Sequence, residues 1–228
     1  MKNVILFAVF FSSIIAFAQD KLEIPTINVF GESTIKAIPD YVVIKVRVEE
    51  TANTAEEAKK KHDIGVDGVL KLLKKMKLDS KDYSTQFMNL NKVYDYNTKV
   101  YNYTANQSIN IVLRDLTKYE KLIQGLLENG INRIDGIQFA TTEIEKYQTA
   151  VRKLAILNAK SKALEYVGEL GQTIGKAILI SEFQNNITPM YNTKMAFNET
   201  YIADGSMETI AVGEIVIYAK INVSFELK

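Results

Sequence analysis

The chain has no cysteine, which excludes a disulfide framework, a thiolate metal site, a thiol nucleophile and a lipid carried on an N-terminal cysteine. Stability must therefore come from packing. A single histidine, His62, leaves almost no room for a His-dependent triad, and no G-x-S-x-G elbow is present. The glycines Gly65, Gly68, Gly125 and Gly130 have neither P-loop nor dinucleotide-binding spacing, so nothing points to a nucleotide or another cofactor. There is also no block of like charge. Loss of Lys2 with the leader described below leaves 27 basic residues against 27 acidic ones, a balance that argues against nucleic acid and against a polybasic membrane contact.

What is present begins with Met1-Lys2-Asn3 and an apolar run from Val4 to Phe17 that closes on Ala16-Phe17-Ala18. This is the plan of a secretory signal peptide, residues 1–18, with cleavage after Ala18. The run is short against the roughly 20 residues needed to span a bilayer, and no later segment is apolar enough to span one. The expected mature chain, 19–228, is an exported protein without a transmembrane segment. Its length, with 47% hydrophobic and 24% charged residues across all 228, suits a globular domain with a sizeable core.

Along that chain, Ile24 to Phe30 and Tyr41 to Glu49 read as strands, the second with Val42, Ile44, Val46 and Val48 on one face. Gly31 and Pro39-Asp40 punctuate the turn between them. Thr54 and Glu57 form a capping box that opens a helix with the stripe Ala58, His62, Gly65, Val69, Leu72, Leu73 and Met76. Strands follow at Tyr83 to Tyr94 and Val100 to Leu113, joined by the turn Asp95 to Lys99. A second capping box, Thr117 and Glu120, opens a helix with the stripe Tyr119, Leu122, Ile123, Leu126 and Leu127 and a stop at Gly130. Ile134 to Thr141 is a short strand.

The longest helical pattern, about 142–171, carries Val151, Ala155, Ala159, Ala163 and Val167 every fourth residue. Small side chains on that seam let a helix backbone sit close to a sheet. Gly171 and Gly175 end it, and Ala177 to Phe183 is an apolar strand. Gln184 to Glu208 loses periodicity, holds Met190, Met195 and Met207, and reads as a mobile loop. Ile215 to Leu227 alternates cleanly as a final strand. The order β-β-α-β-β-α-β-α-β-β predicts an α+β fold with mostly antiparallel sheets packed on helices. It forms a single domain, with a division into two sheet-and-helix lobes, 24–113 and 116–228, left open.

Candidate chemistry is sparse. His62 falls within an apolar stripe with no partner at i+4 for a metal, so it reads as structural. The carboxylates Glu143 with Glu145 and Asp40 with Glu49 would be needed for a carboxylate-dependent hydrolase, but each reads as solvated surface. No catalytic, cofactor-binding or metal-ligating residue is assigned. Tyr94, Tyr96, Tyr101 and Tyr103 form a cluster in which each same-strand pair shares a face. A tyrosine can bury its ring and keep its hydroxyl wet, the profile of a contact surface. The alternatives are ordinary packing on their own sheet and a small-ligand module with its pocket lined by this hairpin. With arms of about ten residues the hairpin is expected to reach some 30 Å, past a compact body and onto a neighbour.

The segments Ile27-Asn28-Val29-Phe30-Gly31, Thr54-Ala55-Glu56-Glu57-Ala58, Lys81-Asp82-Tyr83-Ser84-Thr85 and Glu128-Asn129-Gly130-Ile131-Asn132-Arg133-Ile134-Asp135-Gly136-Ile137-Gln138-Phe139, with the alanine ladder, Gly171, Gly175 and Ile180-Ser181-Glu182, together resemble the SIMPL-domain family of secreted and periplasmic proteins. The likeness covers nearly all of Ile24 to Leu227, and it rests on order and spacing rather than on one motif. Asn91, Asn102, Val151 and Val167 depart from the family pattern. The resemblance implies a non-enzymatic periplasmic or cell-envelope protein, self-associating as a homo-oligomer, with a possible envelope protein partner and a role in envelope or oxidative stress tolerance. It transfers no catalytic residue.

Overall fold

A computed structural model describes residues 24–183, 190–191 and 212–228. The expected leader lies outside the described residues, as does the loop from Gln184 to Glu208 apart from residues 190–191. The described residues fall into two compact units. One holds 34–151, 190–191 and 212–219; the other holds 24–33, 152–183 and 220–228.

The first unit is built on strand β2 (Tyr41–Ala52), whose alternation becomes register. Val42, Ile44, Val46 and Val48 are fully buried. Three of them face Leu113, Ile111 and Ile109 of antiparallel β5 (Val100–Leu113) across the ladder. Burying each such side chain contributes roughly 1.5 to 3 kcal/mol relative to exposure. Two helices close this face. Helix α1 (Ala55–Lys75) begins as expected, with the Thr54 hydroxyl accepting from the Glu57 amide, and buries Ala58, His62, Val69 and Leu73. Helix α2 (Tyr119–Glu128) buries Tyr119, Leu122 and Leu126, whereas Leu127 is exposed. Its entry differs from the capping box read at Thr117. Asp115 accepts from the Thr117 amide and starts a 3-10 turn, Leu116–Lys118, ahead of the helix. Gly130 stops it in the left-handed region at φ +98, with its Cα side pressed against Gly65.

The strand expected from Tyr83 to Tyr94 is two strands, β3 (Tyr83–Thr85) and β4 (Asn89–Asp95), and both pair with β5. Three residues, Gln86 to Met88, span the gap that two residues of β5 span. One residue is therefore extra, and Phe87 is extruded to 95% exposure. Strand β6 (Arg133–Ala140) lies on the other side of β2, giving the order β3-β5-β2-β6 with β4 also on β5. A bulge between Lys45 and Val46 leaves Asp135 without an opposite residue. Its carboxylate takes hydrogen bonds of 2.8 and 3.0 Å from Arg47 and lies 3.0 Å from Arg133.

The second sheet has the order β1-β9-β7, with β8 (Met190–Tyr191) also on β9. Strand β9 (Ile215–Leu227) is the final strand read from its alternation, burying Ile215, Ile217, Ala219, Ile221, Val223 and Phe225. Strand β1 runs from Thr26 to Ala37 straight through Gly31, so Gly31 is not a turn. Helix α3 (Ile144–Glu169) explains it. Ala155, Ala159 and Ala163 are fully buried, and a Cβ placed on Gly31 would lie 1.9 Å from the Ala155 carbonyl oxygen and 2.8 Å from the Ala159 Cβ. The alanine seam brings helix backbone against strand backbone, and glycine is what permits the contact. The leucines of this helix point elsewhere, with Leu154, Leu157 and Leu164 all exposed. Gly171 ends the helix with φ +67, whereas Gly175 belongs to strand β7 (Ile174–Glu182). The α+β class with antiparallel sheets is the observed one.

Candidate functional site

The hairpin of β4 and β5 is set by its turn. The Asp95 carboxylate accepts from the amides of Asn97 at 2.8 Å and Thr98 at 3.3 Å. Lys99 takes the left-handed conformation at φ 56, and its amide donates to the Asp95 carbonyl. These turn hydrogen bonds, that of the Asn97 amide foremost, hold the Asp95 carboxyl below its usual range. With the turn fixed, the register is fixed: Tyr94 faces Tyr101, Lys92 faces Tyr103, and Leu90 faces Ala105. Directly opposite residues share a face, so Lys92, Tyr94, Tyr101 and Tyr103 line one side.

Their contacts follow. The Tyr94 and Tyr101 rings lie 5.0 Å apart at 58°. Tyr96, beyond the end of β4, folds back edge-on to Tyr94 at 5.1 Å and 88°. The Lys92 ammonium sits 4.4 Å from the centre of the Tyr101 ring and 5.8 Å from that of Tyr103. The four tyrosines do not share one environment. Tyr103 packs against the buried cluster of Ala52, Ala58 and Ala105, so it anchors the hairpin to its own sheet. Tyr94, Tyr96 and Tyr101 are 36%, 84% and 57% exposed, and on the opposite face Val93 and Val100 are about half exposed.

The 30 Å reach expected of the hairpin is not what stands free. The β2 ladder continues to Ala52 opposite Tyr103. Only the three pairs from Val93–Asn102 to Asp95–Val100 and the turn lie past it, about 10 Å at roughly 3.3 Å per residue. The inner part of the β5 arm lies between β4 and β2, whereas β4 is exposed from Asn89 to Tyr94.

Other candidates are placed as follows. His62 is 1% exposed, with Nδ1 3.2 Å from an Asp63 oxygen and Nε2 without a partner among the described residues. No group of acidic and histidine side chains among the described residues has metal-binding geometry. Asp40 accepts from the Thr142 amide at 2.9 Å and from its hydroxyl, tying the turn before β2 to the start of α3. Glu143 pairs with Lys146 at 2.8 Å, a hydrogen bond that holds its carboxyl below the usual range. That is the opposite of the raised value a general acid needs. Glu145 is exposed in the first turn of α3 and Glu49 is half-buried on β2. Asp40 and Glu143 thus serve local structure. One feature no sequence pattern announced is a cavity of about 200 Å³ in the first unit, edged by Tyr41, Gln138, Thr141 and Gln148 with Ile144 and Ile217. Its lining comes from four separate elements, which spacing along the chain cannot join. None of the four hairpin tyrosines lines it.

Among the described residues no helix is long and apolar enough to cross a membrane. Compared with known proteins, residues 27–225 match the SIMPL family model, described as a protein of unknown function, DUF541. The 26 kDa periplasmic immunogenic protein of Brucella melitensis is 28% identical over 95% of this chain and 91% of its own length. The uncharacterized protein YggE of Escherichia coli K12 is 25% identical over 95% of this chain and 89% of its own. A human protein named interleukin-1 receptor-associated kinase 1-binding protein 1 is 25% identical over 89% of this chain and 76% of its own.

Proposed function

The chain belongs to the SIMPL family, and from that premise we propose a non-enzymatic protein of the periplasm or cell envelope that self-associates and supports envelope or oxidative stress tolerance. Export is supported by the leader pattern of residues 1–18 and by the periplasmic name of the Brucella relative. The stress role rests on the sequence resemblance alone, the family model being described as of unknown function.

The observation that carries self-association is the ordered aromatic tip. Tyr94 packs against both Tyr96 and Tyr101, and Lys92 sits over Tyr101, before any partner arrives, yet the three rings keep 36% to 84% of their surface in water. Rings already held in place lose little rotamer freedom on contact, so most of the burial counts toward affinity. Asp95, Asn97 and Lys99 keep the tip soluble until then.

Replacing Tyr94, Tyr96, Tyr101 and Tyr103 together by serine tests this. Far-UV circular dichroism should stay close to native while the mass measured by light scattering falls. A triple variant that keeps the anchoring Tyr103 should give the same mass without loosening the hairpin. Wild-type protein that is monomeric at high micromolar concentration, or serine variants that assemble normally, would sink the reading.

A further inference from the structure

We propose that the cavity of the first unit, about 200 Å³, binds a small uncharged molecule that carries hydrogen-bond donors and acceptors beside an aliphatic group. The site is separate from the hairpin and does not rest on self-association.

Its walls follow from the alternation of the first sheet. Val42 and Ile44 of β2 pack into the core beneath α1 and α2, so Tyr41 turns to the opposite face. On β6, Ala140 pairs with Tyr41 and Gln138 with Val43, which puts both on that face. Ile144 and Gln148, one turn apart on α3, supply a second wall. Ile215 and Ile217 of β9 supply a third, and all of these residues lie in one unit.

The polar groups of this lining are short of partners. Thr141 is 4% exposed; its hydroxyl accepts from the Glu143 amide, and its own proton has no acceptor among the described residues. Among the same residues, the Tyr41 hydroxyl and the side-chain amides of Gln138 and Gln148 make no hydrogen bond either. Tyr41 and Gln148 are half-buried, whereas Gln138 is exposed. Folded proteins pair most of the polar side chains they bury. Here unspent hydrogen-bonding groups from β2, β6, the turn after it and α3 converge on one concave, largely apolar space, which is how small-molecule sites are built.

The lining also sets the charge and size of the occupant. None of the described residues around the cavity is a lysine, arginine, aspartate or glutamate, and an unpaired charge costs far more to bury than a neutral polar group. The start of α3 calls for no anion, because the Thr142 amide already donates to Asp40. Gln138 and Gln148 each offer a donor and an acceptor in one plane, which an amide or a pair of hydroxyls returns. Ile144 and Ile217 take the aliphatic part. At about 200 Å³ the space is smaller than the roughly 300 to 1,000 Å³ of drug-sized sites, so the occupant is a single ring or less.

Two neutral probes test this, N-methylacetamide and N-acetylglucosamine, with acetate as the charged counterpart of the first. Titrated into the protein and followed by backbone-amide NMR, the neutral probes should give saturable shifts centred on Tyr41, Gln138, Thr141 and Gln148. Their Kd should be millimolar, as expected of so few atoms, and acetate should give no such shifts. Gln138→Leu and Gln148→Leu should each weaken binding about tenfold. Neither should lower Tm, because neither amide has a protein partner to lose; a merely structural role would move Tm and leave Kd alone. Ala140→Met, which extends a lining side chain into the space, should weaken binding at least tenfold with far-UV circular dichroism unchanged. The hairpin serine variant should bind like wild type, so loss of self-association and loss of this site are read separately. The proposal is overturned if neither neutral probe gives saturable shifts, if acetate binds as well as they do, or if the shifts centre on the hairpin. Glutamine variants that bind like wild type overturn it as well.

Discussion

Gly31→Ala is the sharpest perturbation of the helix-on-strand contact, because one carbon is added where none fits. The new Cβ would lie 1.9 Å from the Ala155 carbonyl oxygen and 2.4 Å from the Ala159 amide nitrogen. Ordinary contact distances are about 3.5 Å, and both obstacles are helix backbone, so no rotamer change relieves the clash. The helix has to move by about 1.5 Å, and lifting it by that much forfeits dispersion along the buried alanine seam. Overpacking of this kind costs about 1 to 3 kcal/mol and occasionally more. Opposing it is the gain from removing a glycine, about 0.5 to 1 kcal/mol. With a clash this close to backbone placing the cost at the upper end of that range, the net expectation is a loss of about 2 kcal/mol, or a Tm lower by roughly 4 to 8 °C for a chain of this size. Thermal and urea unfolding followed by circular dichroism measure it. Gly136→Ala and Gly168→Ala, where an added Cβ meets nothing within 4 Å, should be neutral or slightly stabilising. A Gly31→Ala protein within about 0.5 kcal/mol of wild type would refute the reasoning, since backbone contact at that distance cannot be free.

From the helix side of the same contact, Ala159→Leu should cost about 1 to 3 kcal/mol in urea melts, whereas Lys160→Leu, exposed one residue on, should be mild; equal stability of the two would mean that the ladder does not face the strand. Asp95 should titrate below its ordinary 3.8, because the Asn97 and Thr98 amides favour its charged form. Its contribution to the hairpin turn is present above that ordinary value and is lost as pH falls through the lower folded value. Carboxyl NMR reads it, and an Asp95 titrating at or above 3.8 contradicts the turn geometry.

Much of this fold was legible because single elements announce themselves. The strict alternation of β2 and β9 and the four-residue ladder of α3 each bury the face they predict. Misreadings share a cause, which is that a residue's meaning was set by another element. Gly31 and Gly175 look like breakers, yet in this chain they sit within strands. Gly31 answers to a helix more than a hundred residues away, and at Gly175 a side chain would meet Glu226 and Lys228. The division of β3 from β4 is written in β5, whose two-residue spacing leaves Phe87 outside. At the hairpin, parity along the chain puts Tyr101 and Tyr103 on one face of β5, whereas Tyr96 lies in the turn past the end of β4 and reaches Tyr94 by folding back. Parity could not separate Tyr103 from the rest, because the cluster that half-buries it draws Ala52 from β2 and Ala58 from α1 as well as Ala105 from β5.

Strand β1 also constrains when this chain can fold. The hydrogen bonds at this strand run to residues made far later in synthesis: the Leu227 amide donates to the carbonyl of Pro25, just before the strand, and the Ser224 hydroxyl donates to the Asn28 side chain, 196 positions apart. No nascent chain that stops short of β9 can complete this sheet, and contacts of such separation form slowly because a long loop must close first. For a polypeptide that crosses a membrane as an extended thread, that delay is useful. On the export proposed above, β1 would stay without its pairing partner throughout transit, and the sheet could close only once β9 had emerged on the far side.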